Sequence, residues 1–312
     1  MDAAKLQMDG GFRNLTNNIA FELFADGTGV RGTIASATGT GPYVITLSNV
    51  QQIVNFEVGM SLVNATITAG SVAINAAGAI GVITAVDRAN GIITVATATN
   101  TSWATAGNVL AVAGDLVAGA ISTSTMLGLS GLAAWLPRTS PTGTDSFWGV
   151  NRSVDPTRLA GLRYDASAFT IEEGMTNALA FMNREGAKPD LAILDFASYA
   201  ALVNSLGAKV QYVQAMHDEV EVAFDGIKFQ SAYGPITVLA DRSCPPLTAY
   251  ILTMATWKMR SLGKVPHILE YGMEGLQGLR VGNADALEIR IGYYGNLICS
   301  APGWNCVVTL SA

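Results

Sequence analysis

The hydrophobic positions keep one period near the start of the chain, another through its first third, and both in the remainder. Leu6, Phe12, Leu15, Ile19 and Leu23 in KLQMDGGFRNLTNNIAFELF fall at spacings of three, four and six, which one apolar helix face accounts for. Gly10 and Gly11 weaken the start of that helix, and DGTG predicts its end near Asp26 and Gly27.

From Thr33 to about Asp115 the helical period disappears. The segment is rich in Val, Ile, Thr, Ala and Gly, and between Arg31 and Asp87 only Glu57 is charged. Alternation in YVITL (Tyr43 to Leu47) and GIITVA (Gly91 to Ala96) predicts strands, with Asn90-Gly91 as a hairpin turn. Short strands at close spacing suggest a small barrel or sandwich. A helix precedes it and mixed structure follows, so it reads as an inserted domain, with Gly32 and Gly114 placed for the turns at its ends. The division is 1–32, 33–115 and 116–312.

After Gly119 both periods return. TIEEGMTNALAFMNREG puts Ile171, Met175, Ala178, Leu179 and Met182 on one helical face, with Thr170 and Glu173 at capping-box spacing and Gly186 at the stop. PDLAIL reads as a buried strand, and Asp195 caps the next helix, FASYAALVNSLG, which ends at Gly207. GIKFQ, PITVLA, TAYILTM, ALEIRIGYY and NCVVTL follow as strands. This order fits an antiparallel α+β protein better than a doubly wound sheet.

Composition adds a constraint on the surface. Half of the 312 residues are hydrophobic, 13% are charged and mean hydropathy is +0.34. Much of the exterior must then be apolar or covered by partners, as in an obligate oligomer. A membrane span is the competing reading, carried by the uncharged run from Leu116 to Leu136. Ser122, Thr123, Ser124, Thr125 and Ser130 interrupt that run, and Pro137 closes it, which favours packed loop and short helix. No secretory leader is read at the start. Cys244, Cys299 and Cys306 have neither metal nor disulfide spacing and suit a reducing compartment as buried small hydrophobes. Net charge is -6 and the 18 Lys and Arg residues are scattered, so affinity for nucleic acid through phosphate neutralisation is not expected.

The sequence presents no recognisable catalytic, cofactor-binding or metal-ligating set. Gly27, Gly29 and Gly32 in GTGVRG match a dinucleotide fingerprint as a string, but helix precedes and strands follow, the reverse of the required context. GLSGL fails as a nucleophile elbow because Leu132 stands where Gly is needed. His267 follows Pro266 without a partner pattern, and Glu172 and Glu173 suit the positive end of a helix.

Taken in order, several strings resemble one family. ADGTGVRG after the first helix is similar to the Gly-rich turn that ends a spine helix. KPDLAILDFASYAALVNSLG resembles the strand, cap and helix of an axial domain. DRSCPPLTAYILTMATWKMRSLGK, NADALEIRIGYYGNL and APGWNCVVTL look like a final sheet region. The family is the major capsid proteins of tailed bacteriophages with the Hong Kong 97 type of fold.

The resemblance implies an α+β fold of spine helix, peripheral domain and axial domain, here with an inserted all-β barrel or sandwich. It implies a non-enzymatic subunit without cofactors that builds pentamers and hexamers into an icosahedral shell, located in the virion after assembly in the host cytoplasm. Expected partners are further copies of the chain, scaffold, portal and decoration proteins, and DNA that is enclosed but not gripped, with no membrane. Family members carry an N-terminal arm and an extended loop ahead of the spine helix. The sequence as given begins close to that helix, so no cross-linking pair is carried over. Candidate interface residues are Trp148, Arg152, Arg158 and Arg163 in FWGVNRSVDPTRLAGLR, and His217, Glu219 and Glu221 in the loop from Gln214 to Asp225. The arginines read equally as a solvated loop, and for His217 beside Asp218 and Glu219 the solvated loop is the stronger reading. An encapsulin-like nanocompartment shell shares the implied fold, and a β-rich phage tail or adhesion protein would explain residues 33–115 alone.

Overall fold

The computed structural model describes residues 3–68, 71–75, 80–96, 101–114, 120–122, 128–143, 146–206, 227–231, 234–263, 266–269, 279–280 and 287–311. Helix and sheet are mixed. The first helix, α1, spans Ala3–Glu22 and stops one turn before the expected end. Asp26 instead organises the turn beyond it, its Oδ1 accepting from the Thr28 N–H at 3.0 Å. Gly27 and Gly29 follow the left-handed backbone there, with φ of 84° and 74°.

The next strands are β1 (Val30–Thr38), β2 (Tyr43–Leu47), β3 (Ser61–Thr68), β4 (Ser71–Ile74), β5 (Ile80–Asp87), β6 (Ile92–Ala96), β7 (Val109–Val112) and β8 (Ala120–Ser122). They form one sheet in the order β5-β6-β2-β1-β7-β3-β4-β8, and β5 also pairs with β3. That last pairing closes six strands into a barrel, with β4 and β8 extending from β3. All its pairings are antiparallel. Inward residues follow the two-residue period: Tyr43, Ile45 and Leu47 on β2, and Ile93 and Val95 on β6, lie buried with Leu62, Ile83 and Leu110.

A barrel this narrow is filled by side chains, and the segments between strands supply the plugs. Ile53 and Phe56 enter from the 3₁₀ turn Val50–Asn55 and its exit, and Trp103 from the 3₁₀ turn Thr101–Ala104. Trp103 fits because position 81 is glycine: a Cβ there would sit 3.0 Å from the indole and 2.3 Å from Val95. The hairpin at Asn90-Gly91 joins β5 to β6, with Gly91 at φ 66°. Gly32 makes no turn. It lies inside β1, paired with Leu110 and covered by the Phe56 ring, because the strand begins ahead of the point where charge disappears.

The following elements are α2 (Leu132–Trp135), the hairpin of β9 (Ser146–Phe147) and β10 (Val150–Asn151), α3 (Pro156–Leu159), β11 (Leu162–Asp165), α4 (Ile171–Arg184), β12 (Leu191–Leu194) and α5 (Phe196–Leu206). The α4 capping box forms as the spacing requires, with Thr170 and Glu173 bonded to each other's backbone N–H. Asp195 caps α5, accepting from the N–H groups of Ala197 and Ser198 at 3.2 Å.

Then come β13 (Ile227–Ser231), β14 (Gly234–Ala240) and β15 (Thr248–Leu252). They are followed by β16 (Trp257–Ser261), β17 (His267–Ile268), β18 (Leu279–Arg280), β19 (Leu287–Glu288), β20 (Ile291–Gly292), β21 (Gly295–Cys299) and β22 (Cys306–Thr309). ALEIRIGYY thus contributes two short strands rather than one.

A six-stranded sheet runs β11-β22-β15-β12-β14-β13. It is mixed rather than antiparallel: β11 pairs with β22, and β12 with β14, in parallel. A helix leaving β12 carries the chain back across one face, so a later strand returns in the same direction. That expectation of an antiparallel sheet is corrected. The central strand β15 is buried throughout, with Ala249 and Ile251 facing Met175, Leu179 and Met182 of α4. Tyr250 and Leu252 face the other way, against Phe24, Leu132, Leu136 and Cys244.

Beyond this sheet the chain leaves the core as a two-stranded ribbon. β16 pairs with β21, β17 with β20, and β18 with β19, each antiparallel. Helix α1 lies beside it, and Gly11 lets Ile291 Cδ1 approach to 3.0 Å from where a Cβ would stand. No helix among the described residues is long and apolar enough to cross a membrane.

Candidate assembly surface

The hairpin of β9 and β10 turns through Trp148 and Gly149, at φ 52° and 79°. Positive φ at both central residues is the geometry of a tight two-residue hairpin, where Asn and Gly are favoured and a bulky side chain is strained. Trp148 is nonetheless there, 66% exposed, with Val150 and Val154 exposed nearby in sequence.

The hairpin base is rigid. Phe147 is buried and meets Trp135 edge-on at 4.9 Å. The Arg152 guanidinium lies 4.3 Å from the Phe147 ring and donates to the Ala134 carbonyl at 2.6 Å. Arg152 is thus turned into the subunit as a strut, although the sequence offers it as a surface residue. Arg163 is half-buried, donating to the carbonyls of Pro156 at 2.9 Å and Ala160 at 3.2 Å, and burial lowers its pKa. Arg158 stands on the outside, 3.8 Å from Asp155. Hydrogen bonds from the Thr157 hydroxyl and the Arg158 N–H hold Asp155 below the usual carboxylate range. His217, Glu219 and Glu221 lie outside the described residues.

A cleft of about 600 Å³ opens where α1, β1, α2, α5 and the 242–246 loop meet. Phe21, Phe24, Val54, Phe196 and Pro245 form its apolar walls, and Asp195 lies at its edge. Asp195 is 4% exposed, and its Oδ1 has no hydrogen-bond partner among the described residues while Oδ2 caps α5. Phe196, next to it, is exposed. The sequence marks Asp195 as a cap. That the residue lines a cleft depends on α1 and the 242–246 loop, which no local signal announces.

The third surface is the helix and ribbon. Among the described residues, the four apolar clusters take nothing from residues 5–22 or 258–296. Helix α1 has no fully buried side chain from Lys5 to Glu22, and Leu6 is exposed. On the ribbon Met259, Leu262, Ile289, Tyr294 and Ile298 are exposed, Leu262 at 90%.

Cys244, Cys299 and Cys306 are buried free thiols, and Ser130 of GLSGL is buried, its N–H donating to Asn296 Oδ1 at 2.8 Å. Among the described residues no group of three or more His, Cys, Asp or Glu could hold a metal ion.

No protein-family model matches the chain, and no curated protein does. Among solved structures it is similar to the capsid asymmetric unit of cyanophage A-1(L), with a TM-score of 0.41 and 14% sequence identity. The match covers 61% of this chain and 62% of that one, less than two thirds of either.

Proposed function

We propose that this chain is the major structural protein of a virion shell, a tailed-phage capsid subunit of the Hong Kong 97 type with a β-barrel inserted after its spine helix. The observation that carries the reading is the helix and ribbon without a core of their own. A 20-residue helix and a two-stranded ribbon are marginal in water unless an apolar face is covered. Here that face is only partly covered in the single subunit, with Phe12, Leu15 and Ile19 half-buried and Leu6 exposed, and neighbouring copies would complete the cover. The order of elements, with its long first helix, barrel, mixed sheet and late ribbon, accords with the family resemblance in the sequence.

The role is geometric rather than catalytic. Different surfaces meeting head to tail generate closed rings, and rings join into an icosahedral shell. Apolar edges supply affinity by burial, and scattered charges fix register at the rims. Pentamers and hexamers of the chain would enclose DNA without gripping it, since net charge is -6. Scaffold, portal and decoration proteins would join in the host cytoplasm.

Sedimentation velocity over a range of concentrations, with electron microscopy of the same samples, tests this. Rings or shells are expected. A monodisperse monomer throughout would overturn the reading. Particles from infected cells should contain DNA; an enclosed enzyme instead would point to a nanocompartment.

A further inference from the structure

We infer that Asn90 is a site of spontaneous deamidation and that Asp87 is the latch that holds the reaction back in the folded chain. Neither the site nor the latch depends on the shell reading.

Asn90-Gly91 is the one Asn-Gly pair in the sequence. The backbone nitrogen that follows an asparagine can attack the side-chain carbonyl carbon, and glycine, with no Cβ, crowds that approach least. Here the fold itself demands the glycine. Gly91 has φ 66°, and a Cβ on it would stand 3.0 Å from Val50 Cα. Asn90 beside it is exposed in the turn between β5 and β6, so water has access to the reacting group.

The step balances without a cofactor. The Gly91 nitrogen bonds to Asn90 Cγ and gives up its proton, the Cγ–Nδ2 bond breaks, and Nδ2 leaves with that proton as ammonia. Water then opens the cyclic imide at either carbonyl, which leaves aspartate or isoaspartate at position 90.

Ring closure needs rotation about the Asn90 side chain and about the backbone leading into Gly91, and the structure opposes both. Asp87 Oδ2 accepts from Asn90 Nδ2 at 2.7 Å, while Asp87 Oδ1 accepts from the N–H groups of Ala89 at 3.0 Å and Asn90 at 3.3 Å. These bonds, that from the Asn90 side chain foremost, hold the Asp87 carboxyl below its ordinary range, so at neutral pH it is an ionised acceptor. On the other side of the pair, the Leu47 N–H donates to the Gly91 carbonyl at 3.0 Å. Asn90 therefore reacts when the hairpin opens or when Asp87 releases its amide.

The product cannot restore the latch. A carboxylate in place of the amide sets two acceptors against each other where the 2.7 Å bond had been. Arg88 in the same turn pairs with Glu57 at 2.8 Å and donates to the Phe56 carbonyl at 3.3 Å. A loosened turn thus also loosens the segment that carries the Ile53 and Phe56 plugs.

The test follows the full chain at pH 8 by peptide mapping, reading the amide-to-acid mass gain and the isoaspartate fraction at Asn90. Native wild type should convert roughly tenfold or more slowly than the same chain in urea. Asp87→Asn keeps one carbonyl oxygen for the Ala89 N–H but loses the second, charged acceptor. It should convert roughly tenfold faster than native wild type, the scale of one hydrogen bond to a charged group, and at the wild-type rate in urea. Hydrogen exchange at the Leu47 N–H reports whether the hairpin stays closed.

Faster conversion of Asp87→Asn with unchanged exchange supports the latch. Conversion and exchange rising by the same factor would show that Asp87 acts only by closing the hairpin, and the latch falls. Equal rates in the two native chains, or in native and denatured wild type, would likewise overturn it. Absence of conversion at Asn90 in urea would remove the site itself.

Discussion

The Trp257 indole N–H donates a 2.8 Å hydrogen bond to Asn305 Oδ1. The same oxygen accepts from the Thr253 N–H at 2.8 Å, and the Asn305 amide donates to the Ala301 carbonyl at 3.0 Å and Thr256 Oγ1 at 3.1 Å. One fully buried side chain thereby joins the end of β15, the root of the ribbon and the turn into β22. Asn305→Leu strands several buried polar groups together, at about 1–3 kcal/mol each. A loss of roughly 3–5 kcal/mol is expected in urea unfolding. A change below about 1 kcal/mol would show that the ribbon root is held by other contacts.

Helix α4 gives a smaller and cleaner test. The Thr170 hydroxyl accepts from the Glu173 N–H, and Glu173 returns the bond to the Thr170 N–H, both at 3.4 Å. Thr170→Ala should cost about 1 kcal/mol, and Thr170→Ser should restore most of it. Equal losses in both variants would show that the methyl group, not the cap, matters.

That cap was legible in the sequence because capping is local, and so were the Asp195 cap, β2 and the hairpin at Asn90-Gly91. What escaped depends on residues far apart in the chain. Barrel closure needs Leu62 on β3 to meet Gly81 on β5, and either strand reads the same in an open sandwich. The parallel pair of β12 with β14 follows from a crossover, whereas strand composition alone gives no direction. Arg152 looks like a surface arginine until Phe147 and the Ala134 carbonyl are brought to it. The exposed apolar positions of the ribbon are invisible for the opposite reason: Leu262 and Ile298 on one face and Met259 on the other read as core, and only the topology withholds a core from them.

The thiols predict a pH dependence. Burial pushes Cys306 up from an ordinary value of 9.0 to about 12, and burial likewise raises Cys244 and Cys299. The folded state then favours the protonated thiol. Its stabilising effect is fully present below pH 9, where the unfolded thiol is also protonated, and is lost as pH rises toward the folded value. Stability should therefore be flat in this respect near neutrality and fall between about pH 9 and 12, by at most ~1.4 kcal/mol per pH unit for each thiol. A disulfide-exchange reagent at pH 8 should label the three cysteines only after denaturant is added. Rapid labelling of the native chain would contradict the burial.

We propose that the barrel is an insertion whose ends meet at Gly27 and Gly128, because the Gly128 N–H donates to the Gly27 carbonyl at 3.0 Å and the Leu132 N–H to the Leu23 carbonyl at 2.7 Å. A short Gly-Ser linker from Gly27 to Gly128 would then replace residues 28–127 without moving α1 or α2. One complication is electrostatic. Arg31 on β1 lies 3.7 Å from Glu22 with both side chains largely buried, so excision leaves the Glu22 carboxylate without that partner. Removing one member of such a pair is more damaging than removing both, and the shortened chain should carry Glu22→Gln as well. Arg242, which donates to the Val54 carbonyl at 3.1 Å, is exposed and tolerates the loss. The shortened chain is expected to keep the circular dichroism of the mixed sheet with α4 and α5. Residues 28–122 expressed alone should show a β spectrum and a cooperative melt, since Trp103, Phe56 and the inward residues of six strands form a cluster of their own. Two unfolded products would show that barrel and sheet fold only as one unit, and would refute the insertion.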